Sequence, residues 1–238
     1  MGNPFKRIDV FILCGGIGKR LRKLNPNVPK PMVKMGDKPF LDMIIANMAK
    51  SGFRRFILGL GYKGDLIRKH YSENPPEGLK IIFSQENGPL GTGGAVKKAK
   101  KLIGSIHFFV LNGDSFCQFN PQDFLSFHKH KKALATILLK RLRGDAKDYG
   151  EVKMDRLSRI ISFQEKNDNA KKCLINSGVY LFDRKIFGLM PRQDSFSLEC
   201  DLFPKVIGDG LFGHICPGYF IDIGTPERYF KARRHFEA

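Results

Sequence analysis

Two kinds of residue in this 238-residue chain could do chemistry: cations that follow a glycine turn, and carboxylates that close apolar runs. The cations lie in LCGGIGKRLRKLNPNVPKP, residues 13–31, where Gly15, Gly16 and Gly18 are followed at once by Lys19, Arg20 and Arg22. Glycine permits positive φ and close approach of a backbone to a ligand. Loop N–H groups beside basic side chains form an anion cradle. Lys30 adds a further positive point, its backbone stiffened by Pro29 and Pro31. One strand-loop unit thus offers a tight turn and three or four cations, which suits a triphosphate. The loop reads GGIGKR, so it is not the G-x-G-x-x-G dinucleotide fingerprint, and no Ser or Thr follows Lys19 as a P-loop requires.

The carboxylates are Asp114, which closes an apolar run in LNGDSF, and Asp222, which does the same in FIDIGTPE. A carboxylate at such a place costs free energy unless something binds it. Mg²⁺ binds through one or two carboxylates together with phosphate oxygens and water, so two strand-end aspartates can bracket one ion.

The elements that must position these groups alternate. IDVFIL, residues 8–13, reads as a buried strand. PFLDMIIANMAKS reads as a helix that Gly52 stops. Strands follow at 53–60, 79–84, 107–114 and 133–140, with helices at YKGDLIRKHYS, from Thr92 through KKAKKL, and at PQDFLSFHKH. This rhythm predicts an α/β fold: a Rossmann-like three-layer sandwich whose sheet is mostly parallel (mixed). After residue 140 the pattern changes to a hairpin at 149–155 and 159–166, a strand at 175–183, a helical SLECDLFPKVI, strands at LFGHI and GYFIDIG, and a final helix. Ligands in such sheets bind beyond the carboxyl ends of the strands, which places the glycine loop and the Asp114 and Asp222 turns on one rim. The chain is read as a single domain whose pattern changes near residue 140, with a first part over about 8–140, a second over about 141–225 and a terminal helix over 226–238.

Composition narrows the partners. Forty-one Lys and Arg against 23 acids give +18, which favours polyanions: nucleic acid, anionic membrane or phosphorylated small molecules. The positive charge is dispersed, and its short clusters KKAKK and HKHKK read as solvated helix faces. No aromatic-interleaved RNA platform or zinc finger is visible, so no specific nucleic-acid partner is expected. No run of 18 apolar residues exists and the first residues lack a secretory apolar core; a cytoplasmic location without a membrane partner is expected. The five cysteines are scattered with no C-x-x-C pair, as in reduced thiols, and Cys14 reads as a small buried residue. Nothing in the sequence sets the oligomeric state, and a homo-oligomer is compatible with it.

The string G-G-x-G-K-R-L followed by P-K-P resembles the signature of the sugar-1-phosphate nucleotidyltransferases, and the resemblance extends over about residues 8–230. It implies an enzyme that joins a nucleoside triphosphate to a sugar 1-phosphate with Mg²⁺ held by Asp114 and Asp222. It implies Arg20, Lys30, Asp114 and Lys166 as catalytic residues. Leu13, Gly15, Gly16, Gly18, Lys19, Gln85, Glu86, Gly91 and Thr92 would contact the nucleotide. Asn112, Gly150, Glu165, Lys166 and Asn176 would contact the sugar, with Lys166 on its phosphate and Glu165 on its hydroxyls. In the base-reading string QENGPLGTGG, Glu86 could accept from guanine N1–H and N2–H₂, and Gln85 could instead pair with a uracil or thymine imide. L-G-T-G-G-A together with F-I-D-I-G-T-P-E looks most like guanylyltransferases of heptose or mannose type, heptose favoured, which makes GTP the expected triphosphate. A non-catalytic regulatory subunit on the same fold would be expected to lose the loop arginine, the metal aspartates or the phosphate lysine; all are present.

Overall fold

The first strand, β1 (Asp9–Leu13), has both faces buried, and its side chains alternate between two separate cores. Val10 and Ile12 enter one core and Phe11 the other. The computed structural model describes residues 3–18, 20–21, 25–143, 149–164, 172–208 and 210–237. In chain order the remaining strands are β2 (Lys34–Met35), β3 (Lys38–Pro39), β4 (Arg55–Leu60), β5 (Lys80–Gln85), β6 (His107–Asn112), β7 (Ser115–Cys117), β8 (Ala135–Arg143), β9 (Glu151–Met154), β10 (Ile160–Gln164), β11 (Lys172–Asp183), β12 (Leu211–Cys216) and β13 (Phe220–Asp222). The helices are α1 (Phe40–Lys50), α2 (Gly64–Glu73), α3 (Gly91–Lys98), α4 (Pro121–His130), α5 (Phe203–Val206) and α6 (Pro226–Glu237).

The main sheet runs β12-β8-β11-β6-β1-β4-β5, with the β9–β10 hairpin attached to β11 beyond the end of β6. β6, β1, β4 and β5 are parallel, and β12 is parallel to β8. The long β11 runs antiparallel to both β6 and β8, which makes the sheet mixed. Helices α1, α2, α4 and α6 cover one face through Ile44, Ile67, Phe124 and Ala232. Helices α3 and α5 cover the other through Val96 and Phe203. Each face thus supplies an apolar layer of its own, as expected from the alternation of strands and helices.

The amino end of the parallel strands is tied by Asp9, which is 2% exposed. It accepts from Gly104 N at 2.7 Å and Ser105 N at 3.0 Å and pairs with Arg55. The opposite, carboxyl rim carries the site. A two-stranded sheet forms there: β7 and β13 pair antiparallel with Asp222 opposite Ser115, and Ile223 N donates to Asp114 O at 3.0 Å. This small pairing was not visible as periodicity because β7 and β13 are three residues each. Among the described residues no helix is long and apolar enough to cross a membrane.

Candidate active site

The register of β1 with its neighbours sets Leu13 beside Gly59 on β4 and Asn112 on β6. The three strands therefore end level, and their loops are bonded together: Cys14 N to Gly59 O at 2.9 Å, Gly113 N to Leu13 O at 2.9 Å and Tyr62 N to Gly15 O at 3.1 Å. Above them opens a cleft of about 490 Å³. Its walls include Leu13, Gly15, Gly16 and Gly18 from the glycine loop, Glu86, Gly91 and Thr92 from the next loop, and Asn112 and Asp114 from the end of β6. Nine of the residues singled out in the sequence thus line one cavity. At Gly15 the loop backbone runs close to Glu86: a Cβ there would stand 2.6 Å from Glu86 Oε1 and would push that carboxylate aside. Cys14 is fully buried with its thiol pushed well above the ordinary range by burial, as suits a packing residue.

Beside Asp114, at the cleft wall, a charged cluster is built from both halves of the chain; Arg20, Lys30 and Asp222 belong to it and are not among the residues of the cavity wall. Lys30 Nζ lies 2.5 Å from Asp114 Oδ2, and Gly18 packs on the Lys30 side chain, where a Cβ would meet Lys30 Cβ at 3.1 Å. Asp222 Oδ1 accepts from Gly224 N at 2.7 Å, and Arg228 Nη1 reaches both carboxylate oxygens at 3.1 Å. The Tyr149 hydroxyl also donates to Asp222, and the Arg228 guanidinium lies 4.4 Å from the Tyr149 ring centre. Arg20 comes to the same turn: a methyl on Gly224 would stand 3.6 Å from its Nη2. Asp114 and Asp222, with Arg20 and Lys30, are thereby brought together. Arg228 and Tyr149 were missed by sequence reasoning. Arg228 lies in the first turn of α6, across a loop from Asp222 at the end of β13, and nothing in that spacing announces a contact.

Two hard carboxylates on adjoining strand ends, each beside a side-chain cation, form a donor set compatible with a divalent ion that also takes phosphate oxygens. Asp114 Oδ1 accepts only from the Ser115 hydroxyl, at 3.2 Å, among the described residues. No cluster of three or more His, Cys, Asp or Glu side chains able to hold a metal occurs among the described residues, so an ion here would need oxygens from substrate or water.

On the base side, Glu86 enters the cleft wall and Gln85 does not. Gln85 is exposed at the end of β5, with its Oε1 accepting from Arg68 Nη2 at 3.1 Å and its Nε2 donating to Leu60 O at 3.4 Å. Burial pushes the Glu86 carboxyl up; the Leu90 N–H and the Lys98 ammonium pull in the opposite direction. Gly91 and Thr92 open α3 at the cleft. Gly93 and Gly94 serve packing instead: Cβ atoms there would lie 2.2 Å from the Phe196 ring and 2.1 Å from Asp194 O.

On the other side, β11 bulges between Asn176 and Tyr180. Gly178, at φ +75°, fits the bulge under the Asn112 amide, where a Cβ would stand 2.6 Å from Asn112 Nδ2. Asn112 Oδ1 is buried with no hydrogen-bond partner among the described residues, an open acceptor beside the cleft. Asn176 is not among the residues of the cavity wall; within β11 its Nδ2 donates across the bulge to the Tyr180 hydroxyl at 2.9 Å. Gly150 is exposed just before β9. Lys19, Glu165 and Lys166 lie outside the described residues.

A family model, nucleotidyl transferase, matches residues 9–238. The chain belongs to that family. The D-glycero-alpha-D-manno-heptose 1-phosphate guanylyltransferase of Campylobacter jejuni is 39% identical to it over 223 residues, covering 94% of this chain and 97% of its own. The protein of the same name from Aneurinibacillus thermoaerophilus is 36% identical, covering 97% of this chain and 99% of its own. The mannose-1-phosphate guanylyltransferase of Mycobacterium tuberculosis is 32% identical, but this chain spans 63% of its length. Among solved structures, HddC from Yersinia pseudotuberculosis superposes with a TM-score of 0.86 at 37% identity, covering 96% of this chain and 99% of its own. HddC has also been solved with GMP-PN. A UDP-glucose pyrophosphorylase at 17% identity and TM-score 0.80 shares the fold. The chain is an enzyme, a nucleotidyltransferase, and the expected fold is the one observed.

Proposed function

We propose that this nucleotidyltransferase condenses GTP with D-glycero-α-D-manno-heptose 1-phosphate to give the GDP-sugar and pyrophosphate. The observation that carries the reading is the convergence on one cleft of the glycine loop, Glu86 and the Lys30–Asp114 pair. The heptose enzymes are favoured over the mannose enzymes because they match this chain over 97–99% of their own length, against 62–64% for the mannose relatives. The proposed division of labour is a nucleotide part over about 8–140, a sugar part over about 141–225 and a terminal helix from 226.

In this reading the sugar phosphate oxygen attacks the α-phosphorus in line and pyrophosphate leaves. No covalent enzyme intermediate is needed, since the attacking oxygen is already ionised. Catalysis is then positioning and charge neutralisation. The glycine-loop amides and Lys19 cradle the phosphates. Arg20 and Lys30 neutralise the charge that develops on pyrophosphate, and Lys166 aims the nucleophile. Asp114 and Asp222 would hold magnesium, which when bound supplies further neutralisation across phosphate oxygens. Glu86 accepts from the guanine N1–H and N2–H₂ edge, while Asn112, Asn176, Gly150 and Glu165 face the sugar. The proposed location is the cytoplasm, where nucleoside triphosphates are supplied.

The test is pyrophosphate release across a matrix of four nucleoside triphosphates and several sugar 1-phosphates, with and without Mg²⁺. The reading expects GTP and the manno-configured heptose 1-phosphate to give the largest kcat/KM. Equal or greater turnover with mannose 1-phosphate would move the assignment to the mannose type.

A further inference from the structure

A polar chain unused in the scheme above crosses from the nucleotide rim to the sugar rim through Glu199, in the turn that precedes α5. Glu199 Oε2 accepts from the Thr92 hydroxyl at 2.9 Å and the Ser197 hydroxyl at 2.9 Å. Its Oε1 accepts from the Tyr180 hydroxyl at 2.8 Å, and Tyr180 Oη accepts in turn from Asn176 Nδ2 at 2.9 Å. Thr92 opens α3 at the cleft, and Asn176 stands at the bulge of β11. The carboxylate is therefore the only link in this chain that touches both sides.

Its direction is fixed. Asn176 Oδ1 accepts from Gly178 N at 2.9 Å, so the amide must present Nδ2 to Tyr180. Thr92 Oγ1 already accepts from Leu198 N at 2.8 Å, and Ser197 Oγ from Glu199 N at 3.1 Å. Every hydroxyl around Glu199 thus receives a donor elsewhere and has its own proton left for the carboxylate. Only an acceptor on both oxygens satisfies all three. Tyr180 is fully buried, and both its burial and the Glu199 charge keep its hydroxyl protonated, as a donor must be.

We propose that Glu199 is a positioning residue for the transfer: it locks the nucleotide rim at Thr92 to the sugar rim at Asn176 and so sets the separation of the two reacting groups. This rests on the function proposed above. The amide of Glu199→Gln would turn an N–H toward a hydroxyl that is itself donating. That hydroxyl must then turn its proton away and leave it without an acceptor in a buried site, and the register between the rims loosens. Misplacement of about 1 Å can cost on the order of 100-fold in rate. The loss belongs in kcat, because each substrate still finds its own half of the site.

The experiment measures kcat and both KM values for wild type, Glu199→Gln, Tyr180→Phe, Thr92→Val and the hydroxyl-retaining Thr92→Ser, with thermal melting of each. The expected result is a kcat lower by roughly 10- to 100-fold in the first three with KM changes within about threefold. Thr92→Ser, which keeps the hydroxyl, should lose less kcat than Thr92→Val. The double variant Glu199→Gln/Tyr180→Phe should lose no more than the worse single variant, because both break one chain. Folded Glu199→Gln with kcat within twofold of wild type overturns the proposal, as do multiplicative losses in the double variant. If Glu199→Gln does not fold, Tyr180→Phe and Thr92→Val decide on the same criteria. A wild type that turns over no triphosphate and sugar phosphate pair refutes the proposed function instead, which is a separate outcome.

Discussion

Replacing Glu86 by Gln tests how the base is chosen. The side chain lines the cleft, and its Oε1 lies where a Cβ on Gly15 would collide at 2.6 Å. Gln has the same shape, so the change alters hydrogen bonding without altering packing. A carboxylate can accept from guanine N1–H and N2–H₂ at its two oxygens, whereas an amide accepts at one and presents a donor at the other. A hydrogen bond to a charged group contributes about 1.5–3 kcal/mol, and about 1.4 kcal/mol is a factor of ten. Losing one such bond therefore lowers kcat/KM for GTP by roughly 10- to 150-fold. Inosine triphosphate, which lacks the exocyclic amine, should show a deficit of that size with wild type and almost none with Glu86→Gln. Pyrophosphate release with GTP, inosine triphosphate, ATP and UTP supplies all the ratios. The acid limb gives a second readout. Burial raises the Glu86 carboxyl above its ordinary value of 4.5, so the acceptor is lost as pH falls through that raised value. GTP turnover should drop there in wild type, and the drop should vanish in Glu86→Gln. Unchanged GTP selectivity in Glu86→Gln would falsify the reading and leave loop backbone groups as the base readers. A preference of wild type for UTP would point to Gln85, which would then have to leave Arg68 and enter the cleft.

Three further outcomes follow from the geometry. Lys30→Ala and Arg20→Ala remove positive charge from the triphosphate end and should each lower kcat by about 100-fold or more; an effect confined to KM shows instead that the charge binds substrate and transition state alike. Asp114→Asn and Asp222→Asn should each weaken Mn²⁺ binding, read by electron paramagnetic resonance, and abolish turnover, and EDTA should inactivate wild type until Mg²⁺ is restored; full activity in EDTA sinks the metal role. His128 is fully buried beside Thr136, and burial lowers its pKa from 6.5 to about 3. The folded state keeps it neutral while the unfolded chain protonates, so stability should be level above about pH 6.5 and fall by up to about 1.4 kcal/mol per unit below it. Urea midpoints for wild type against His128→Gln between pH 7.5 and 5 isolate that slope, and parallel curves would show that His128 does not carry it.

Much of the site was legible because its chemistry is local in sequence. A glycine loop that follows a buried strand, and aspartates that close apolar runs, announce a rim of strand ends without any knowledge of strand order. The antiparallel direction of β11 was not legible, since an apolar strand buried on both faces reads the same in either direction. Partners that meet only in three dimensions were also invisible. Arg228 and Tyr149 reach Asp222 from a helix and a loop, and Glu199 joins Thr92 to Tyr180 across the sheet. In LGTGGA, a run of glycines near a ligand loop suggests close approach to the ligand. Gly93 and Gly94 are small for another reason, the fit of α3 beneath Phe196 and Asp194.

The pairing of β7 with β13 has a consequence for how the enzyme comes into being. Asp114 and Asp222 belong to opposite halves of the chain, and these two three-residue strands bring them to one turn. Closing so long a loop is entropically costly and comes late. The core strands β1, β4, β5 and β6, with the glycine loop, are all synthesised before residue 113 and could gather into a parallel sheet while translation continues. Such an intermediate would hold the phosphate cradle and lack the second carboxylate. On the ribosome, the pair of aspartates would stay incomplete until β13 emerges and pairs with β7. A chain cut before β13 would keep Asp114 and lack Asp222 and the strand that holds it in place.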